Sequence, residues 1–306
     1  MQAVRIHRFG PPDVVVIDDI PVPAPSLGEV LVRVQSAGVA PWDALIREGK
    51  SAVSPRPPLT LGSDLSGSVD AVGPDITQFH VGQEIYGVTN PQFCGAQAEF
   101  AIASAKMIAP KPPQLTHDEA ASAPVIAVTA SQMLFEYGRV RSGETALILG
   151  AAGNVGAYLL QFAAGIGVHA IAVARSSEAE RVLALDAQSF VDSSSPGAER
   201  SIPPVDIILD TIGGPTLERF FPALRTGGRL VSVVSTALPQ RADVTGVFFY
   251  AEVTTSRLQE VASAFATGRI SPRVGAVLPL PDARTAHYML AGAPHPGGKI
   301  VLRVPA

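Results

Sequence analysis

Hydrophobic and polar positions follow two different rhythms along this chain. Up to about residue 120 the apolar residues come in short runs: AVRIHRF, EVLVRVQSAG, SGSVDAVG, EIYGV and AEFAIA. Turn sequences such as Gly-Pro-Pro-Asp and Val-Gly-Pro-Asp separate them. Short β-type runs between proline and glycine punctuation predict an irregular, mainly antiparallel β domain. Beyond residue 120 the texture changes. A helical stretch, HDEAASAPVIAVTASQMLFEYG, leads into the strand TALIL, a glycine turn, the helix NVGAYLLQFAAGIG and the strand HAIAVA. The helix SEAERVLALD, the strands SFVD and VDIILD, the helix GPTLERFFPAL, the strand GRLVSVV and the helix TTSRLQEVASAFATG follow. Strands alternating with helices predict parallel βαβ units and a doubly wound sheet. The closing KIVLRV is strand-like and too short to stand alone, so it is expected to return to the first domain. The pattern divides the chain into residues 1–120 plus 269–306 and residues 121–268.

One stretch raises the question of a membrane. From Thr145 to Ala174 there is no Asp, Glu, Lys or Arg, and a charge-free run of that length is a formal transmembrane candidate. Its glycines, Asn154, Gln161 and His169 argue against a span. So does its division into apolar run, turn, helical pattern and second apolar run. A strand–helix–strand unit whose strands are covered on both faces accounts for the missing charges. The wider composition narrows the function classes. A net charge of -4 with 16% charged residues excludes an electrostatic nucleic-acid binder, and 6% aromatics offer no stacking platform for bases. The single cysteine, Cys94, rules out a disulfide framework or a multi-cysteine zinc site within one chain. The start, MQAVRIHRFGPPD, has no apolar h-region, so no secretory signal and a cytoplasmic location are expected.

The glycine turn, ALILGAAGNVGAYLL at 146–160, carries the first candidate chemistry. Counted back from Gly156, a dinucleotide fingerprint asks for glycines at 156, 153 and 151; position 151 is Ala and the extra glycine is Gly150. A strand feeding a helix through such a turn leaves N–H groups and partial positive charge facing a pyrophosphate. Gly153 would admit the phosphates, Gly156 would let helix and strand pack closely, and Ala151 is tolerable if its φ is negative. The competing reading is a plain close-packed strand–helix turn. The place of the turn at the head of the alternating half favours the cofactor. At the end of the next strand an acid would select NAD and a cation NADP. Here the strand runs into Arg175-Ser176-Ser177 with no acid before Glu178, which favours NADPH unless Arg175 is merely a solvated surface residue.

These residues, together with the opening MQAVRIHRFGPPDVVVIDDIPVPAPSLGEVLVRVQSAGVAPWD, the segment LGSDLSGSVDAVGPDITQFHVGQEIYG, the turn GAAGNVG, DTIGG and the closing GGKIVLRV, resemble the medium-chain dehydrogenase/reductase superfamily over essentially the whole chain. The resemblance is to its zinc-free quinone oxidoreductase (zeta-crystallin-like) branch. It implies an α/β architecture: a GroES-like β-rich catalytic domain plus a doubly wound parallel-sheet Rossmann NADP-binding domain. By that resemblance Thr129, Ala151, Gly153, Asn154, Val155, Gly156, Arg175, Ser176, Thr211 and Phe249 form the cofactor site, and a homodimer pairs along the run DVTGVFFY.

The departures bear on mechanism. Zinc-dependent members supply a Cys within the segment that here reads AGVAPWD, a His-Glu pair where this chain has Ser63-Asp64, and a four-cysteine lobe after EIYGV; none of these is present, so no metal site is expected. The branch also carries an Asn in the first of these loops, where position 40 is Ala. Without a Lewis acid a simple carbonyl is a poor hydride acceptor, whereas a quinone or an α,β-unsaturated carbonyl needs less help. Trp42 is a candidate for the acceptor pocket, against a structural role. Tyr86 is a candidate oxyanion donor, against simple packing. Asp43 and Asp64 are read as binding backbone N–H groups in turns, and Cys94 as an apolar filler. The expectation is therefore an NADPH-dependent quinone or enone reductase. The alternatives are an NADPH-binding protein with little catalysis and an enoyl-type reductase acting on thioesters.

Overall fold

In the computed structural model, which describes residues 1–53 and 55–305, the chain forms two compact units. The first comprises Met1–Val125, Val253–Ala266 and the C-terminal segment from Pro272. The second comprises Ile126–Glu252 and Thr267–Ser271.

In chain order the first unit begins with β1 (Gln2–Ile6), β2 (Val16–Asp19) and β3 (Glu29–Val39), then α1 (Pro41–Arg47), β4 (Leu59–Thr60), β5 (Asp64–Val72), β6 (Glu84–Val88), β7 (Phe100–Ser104), β8 (Ile108–Pro110) and α2 (His117–Ser122). The long β3 alternates only in its middle, where Arg33 and Gln35 face out around the buried Val34; residues 30–32 and 36–39 are buried without a break, so both faces are covered there. It pairs antiparallel with β5 and, over its first half, with β7. Gly67 in β5 lies where a Cβ would meet the Arg33 carbonyl oxygen at 2.1 Å, so only glycine lets the strands approach there. α2 starts from Thr116, whose hydroxyl and backbone exchange hydrogen bonds with Glu119.

The second unit follows with α3 (Pro124–Ser131), which straddles the unit boundary, and a π-helical turn over Gln132–Tyr137. Then come β9 (Thr145–Leu149), α4 (Asn154–Ala164), β10 (His169–Ala174), α5 (Ala179–Leu183), β11 (Ser189–Asp192), β12 (Val205–Asp210), α6 (Gly214–Phe220), β13 (Leu224–Ser232) and β14 (Thr245–Phe248). The six strands lie in the order β11-β10-β9-β12-β13-β14, all parallel. Their Leu, Ile and Val side chains, with Phe220 and Leu217 from α6, form a buried core. The charge-free run is β9, turn, α4 and β10. No helix among the described residues is long and apolar enough to cross a membrane.

The chain returns to the first unit through α7 (Thr255–Ala266), β15 (Val274–Pro279), α8 (Ala283–Leu290) and β16 (Lys299–Arg303). β16 pairs antiparallel with the far half of β3, completing a seven-stranded sheet. One boundary differs from the sequence reading. α7, assigned above to residues 121–268, belongs to the first unit. The Thr255 hydroxyl donates to the carbonyls of Ile108 and Ala105, and the Leu258 carbonyl accepts from the Tyr86 hydroxyl. Its helical period was legible; which sheet its apolar face would meet was not.

Candidate functional site

In the second unit, the sheet order reverses between β9 and β12. Connections leave that point in opposite directions, and in open parallel sheets ligands bind at such a reversal, outside the carboxyl ends of the strands. Gly150 and Thr211 stand at this place. Gly150 takes φ +80° and makes the turn, leaving Ala151, fully buried, out of the left-handed region. A side chain on Gly150 would meet the Thr211 hydroxyl at 2.3 Å, while that hydroxyl donates to the Leu149 carbonyl. At Gly156 a Cβ would lie 2.2 Å from the Gly150 carbonyl oxygen and 2.6 Å from Ala151 Cα, so the helix rests directly on the turn. Gly153 is the N-cap of α4, no side chain caps the helix, and its first turn carries no acid. The leading amides of Asn154, Val155 and Gly156 are thus left for an anionic ligand. This cradle fits a pyrophosphate.

The rim of the cradle differs from the sequence reading. Arg175 and Ser176, just after β10, are exposed. Arg181, not anticipated, reaches back from α5. Its guanidinium donates to the Ala152 carbonyl within the turn and pairs with Glu178 at 2.8 Å. Asp192 ends β11 directly beside Ala174, the last residue of β10. Asp210, buried at the end of β12, accepts the amides of Ile212 and Gly213 and the Ser232 hydroxyl, which shapes the DTIGG loop. Thr129 is buried in α3, and Phe249 is buried against Tyr137 in a stacked pair 4.1 Å apart.

In the first unit the sequence candidates form a cluster around a residue of the closing GGKIVLRV segment to which the sequence reading gave no role. Lys299, 1% exposed, donates to Asp64 at 2.6 Å and lies 4.5 Å over the face of Trp42. The other Asp64 oxygen accepts the Val125 amide, and the Trp42 indole N–H donates to the Ser63 hydroxyl at 3.0 Å. Trp42 also meets Phe93 edge to face. Asp43 starts α1 by accepting the Ala40 amide, but its second oxygen is buried without a partner. Burial pushes its carboxyl up to about 7, against the opposing attraction of Lys299. Cys94 is half-buried, and burial raises its thiol as well. The turn roles read for Asp43 and Asp64 therefore describe half of what they do. The other half is a buried charge cluster that depends on a lysine more than two hundred residues away in sequence.

For Tyr86 the structure shows the packing that was the alternative to an oxyanion donor. Tyr86 is fully buried and its hydroxyl donates to the Leu258 carbonyl at 2.5 Å, which engages it within the first unit rather than at a reacting oxyanion.

Two family models match the chain. The "Alcohol dehydrogenase GroES-like domain" covers residues 26–113 and the "Zinc-binding dehydrogenase" model covers residues 185–302. A solved alcohol dehydrogenase superfamily protein from Novosphingobium aromaticivorans is 30% identical, covers the whole of both chains and superposes with a TM-score of 0.91. The chain belongs to the medium-chain dehydrogenase/reductase superfamily. Within it, the quinone oxidoreductase of Mus musculus is 27% identical over 99% of this chain and 97% of its own length. A mycobacterial protein solved with NADPH is 28% identical, covers 99% of this chain and all of its own, and has a TM-score of 0.88. Members of this superfamily are oxidoreductases that use a nicotinamide cofactor, and the cradle of the second unit is where this chain would hold it.

The superfamily also implies zinc, and the donor set here does not fit that ion. Ala40 has no donor atom, Ser63 is engaged by Trp42, and Asp64 is held by an ammonium group that competes for the same carboxylate charge. No three His, Cys, Asp or Glu side chains converge among the described residues.

Proposed function

We propose that this member of the superfamily is an NADPH-dependent, metal-independent reductase that transfers hydride to a quinone or an α,β-unsaturated carbonyl. The observation that carries the reading is the Lys299–Asp64 pair. A buried ammonium occupies the carboxylate that metal-dependent members use beside their ligand, so the acceptor must be one that takes hydride without a Lewis acid. Bound NADPH supplies the hydride. The chain's own contribution is placement. The amides of Asn154, Val155 and Gly156 would hold the pyrophosphate, Arg175 and Ser176 would take the 2′-phosphate, and Thr129, Thr211 and Phe249 would border the nicotinamide end. Trp42 presents an aromatic face to a flat conjugated acceptor, its plane held by Ser63 on one edge and Lys299 on one face. Electron pair and hydrogen arrive together at one end of the conjugated system, and the enolate or phenolate is protonated by water. A cytoplasmic homodimer paired along β14 completes the reading. β14 is the last strand of its sheet, and Tyr250 beyond it is 79% exposed.

The test is oxidation of NADPH and NADH followed at 340 nm against quinones, enones, aldehydes and enoyl thioesters, with and without EDTA. Turnover of quinones or enones, insensitive to chelation, is the expected result. Efficient turnover of simple ketones alone would overturn the acceptor class. Tight NADPH binding with no turnover would make the chain a binding protein, and exclusive thioester turnover an enoyl reductase.

A further inference from the structure

The end of β10 carries a cation and no acid in sequence, but the fold brings an acid to it. Asp192 closes β11, and the parallel register sets it opposite Ala174, one strand spacing from the Arg175–Ser177 bend. The Ser193 amide donates to the Ala174 carbonyl at 2.8 Å, which ties the two strand ends together. The Asp192 carboxylate is held in place by three serine bonds. One oxygen accepts the Ser194 amide at 2.9 Å and the Ser194 hydroxyl at 2.6 Å; the other accepts the Ser195 hydroxyl at 3.0 Å. These bonds, with the Ser176 amide on the neighbouring strand end, keep the carboxyl below its ordinary range. The loop that follows is fixed by Arg219, which donates to the Ser193 and Ser195 carbonyls and pairs with Glu199.

The charges at this corner are unevenly matched. Glu178 is neutralised by Arg181. Among the described residues Asp192 pairs with no cation and the Arg175 side chain with no anion. One unpaired positive and one unpaired negative group thus flank the end of the second strand, where a dinucleotide fold reads the 2′ position of its adenosine ribose. A cation there favours a 2′-phosphate; a carboxylate accepts from a free 2′-hydroxyl and repels the phosphate.

We propose that Asp192 is a cofactor-specificity residue: it opposes a 2′-phosphate and favours a free 2′-hydroxyl, so that the preference for NADPH set by Arg175 is narrow and the chain accepts NADH as well. The proposal rests on the reading of the glycine turn as a nicotinamide dinucleotide site. It adds that the preference is a balance between Arg175 and Asp192.

The test uses the whole chain and two probes that share everything but the phosphate, 2′,5′-ADP and 5′-AMP, with Kd measured by calorimetry at low and high salt. In the unaltered protein the two affinities should lie within about tenfold. Asp192→Asn should tighten 2′,5′-ADP relative to 5′-AMP by roughly five- to tenfold at low ionic strength, and the gain should shrink at high salt, as a screened repulsion does. Arg175→Ala should move the ratio the other way. A ratio that Asp192→Asn leaves within twofold overturns the proposal, including the case where both affinities fall together because the serine loop has loosened. A gain that does not respond to salt overturns it as well. If the unaltered protein binds neither probe, the cofactor reading itself fails and the proposal with it, a result distinct from an unchanged ratio.

Discussion

The glycine turn of the second unit and the lysine cluster of the first both manage charge, by opposite means. The turn does it with backbone. Gly150 bends, Gly156 lets helix and strand touch, and uncapped amides present a diffuse positive field, with one guanidinium, that of Arg181, bonded to the Ala152 carbonyl beside them. The cluster does it with side chains. Lys299, Asp64, Asp43, Ser63 and Trp42 come from three separate stretches of chain and are buried or nearly so. A backbone device tolerates Ala151 where the fingerprint asks for glycine, because the neighbouring Gly150 supplies the positive φ. A buried ionic device tolerates far less, because removing one partner strands another charge in a low-dielectric interior.

Four changes would break or sharpen that contrast. The largest effect is expected from Lys299→Met. Asp64 would remain buried with only the Val125 amide, at a cost of about 3–5 kcal/mol in urea unfolding. Pairing it with Asp64→Leu should recover part of the loss, and the emission of Trp42, the only tryptophan, should shift in the single variant. Equal stability of Lys299→Met and the unaltered protein would remove the cluster from the account.

Gly156→Val comes next. Its Cβ would collide with the turn backbone, and a loss of about 2–4 kcal/mol with loss of NADPH binding is expected from thermal unfolding and cofactor fluorescence. Retained binding would mean that the helix does not rest on the turn as described.

Asp43→Asn tests the pH behaviour. Between its ordinary 3.8 and its folded value of about 7, Asp43 keeps a proton that the unfolded chain has lost, so stability falls as pH rises through that window. Opposing it, His287, against Arg47, is pushed down by burial to about 3 from 6.5, so stability is also lost as pH falls through that range. His287 acts alike in the unaltered protein and the variant, so the difference between the two isolates Asp43. Between pH 6.5 and 7.5 the unaltered protein should lose about 0.7 kcal/mol relative to the variant by denaturant unfolding; equal pH slopes of the two proteins would remove Asp43 from the account.

The smallest change is Tyr86→Phe. About 1 kcal/mol of stability should go with the bond to Leu258, and turnover per folded molecule should stay the same. A large fall in kcat with unchanged stability would restore Tyr86 to the chemistry.

How much of this was legible in the sequence follows the same contrast. The turn at 150–156 was readable because its signal is local: glycine is required where φ is positive or a Cβ has no room, and both conditions hold within seven residues. Trp42 and Ser63 were readable as positions in a superfamily pattern, but nothing near them in sequence pointed to Lys299. For Tyr86 the sequence left donor and packing roles side by side, because its partner is a backbone carbonyl in α7, a helix whose sheet could not be known from its period. Asp192 was passed over because an acid was sought along one strand only, whereas the parallel register sets Asp192 opposite that strand's last residue.

By itself the sequence determined the two textures, the parallel order of the second half, the return of the last strand and the place of the glycine turn. Period, proline and glycine punctuation, and backbone sterics act over a few residues, so they are written where they act. Only the tertiary structure decided which charges share a buried space. Lys299 with Asp64, Arg181 with Ala152 and Asp192 with the end of β10 are juxtapositions across sheets and turns. Electrostatic interaction depends on distance in space and on the water excluded from it, and neither is ordered along the chain.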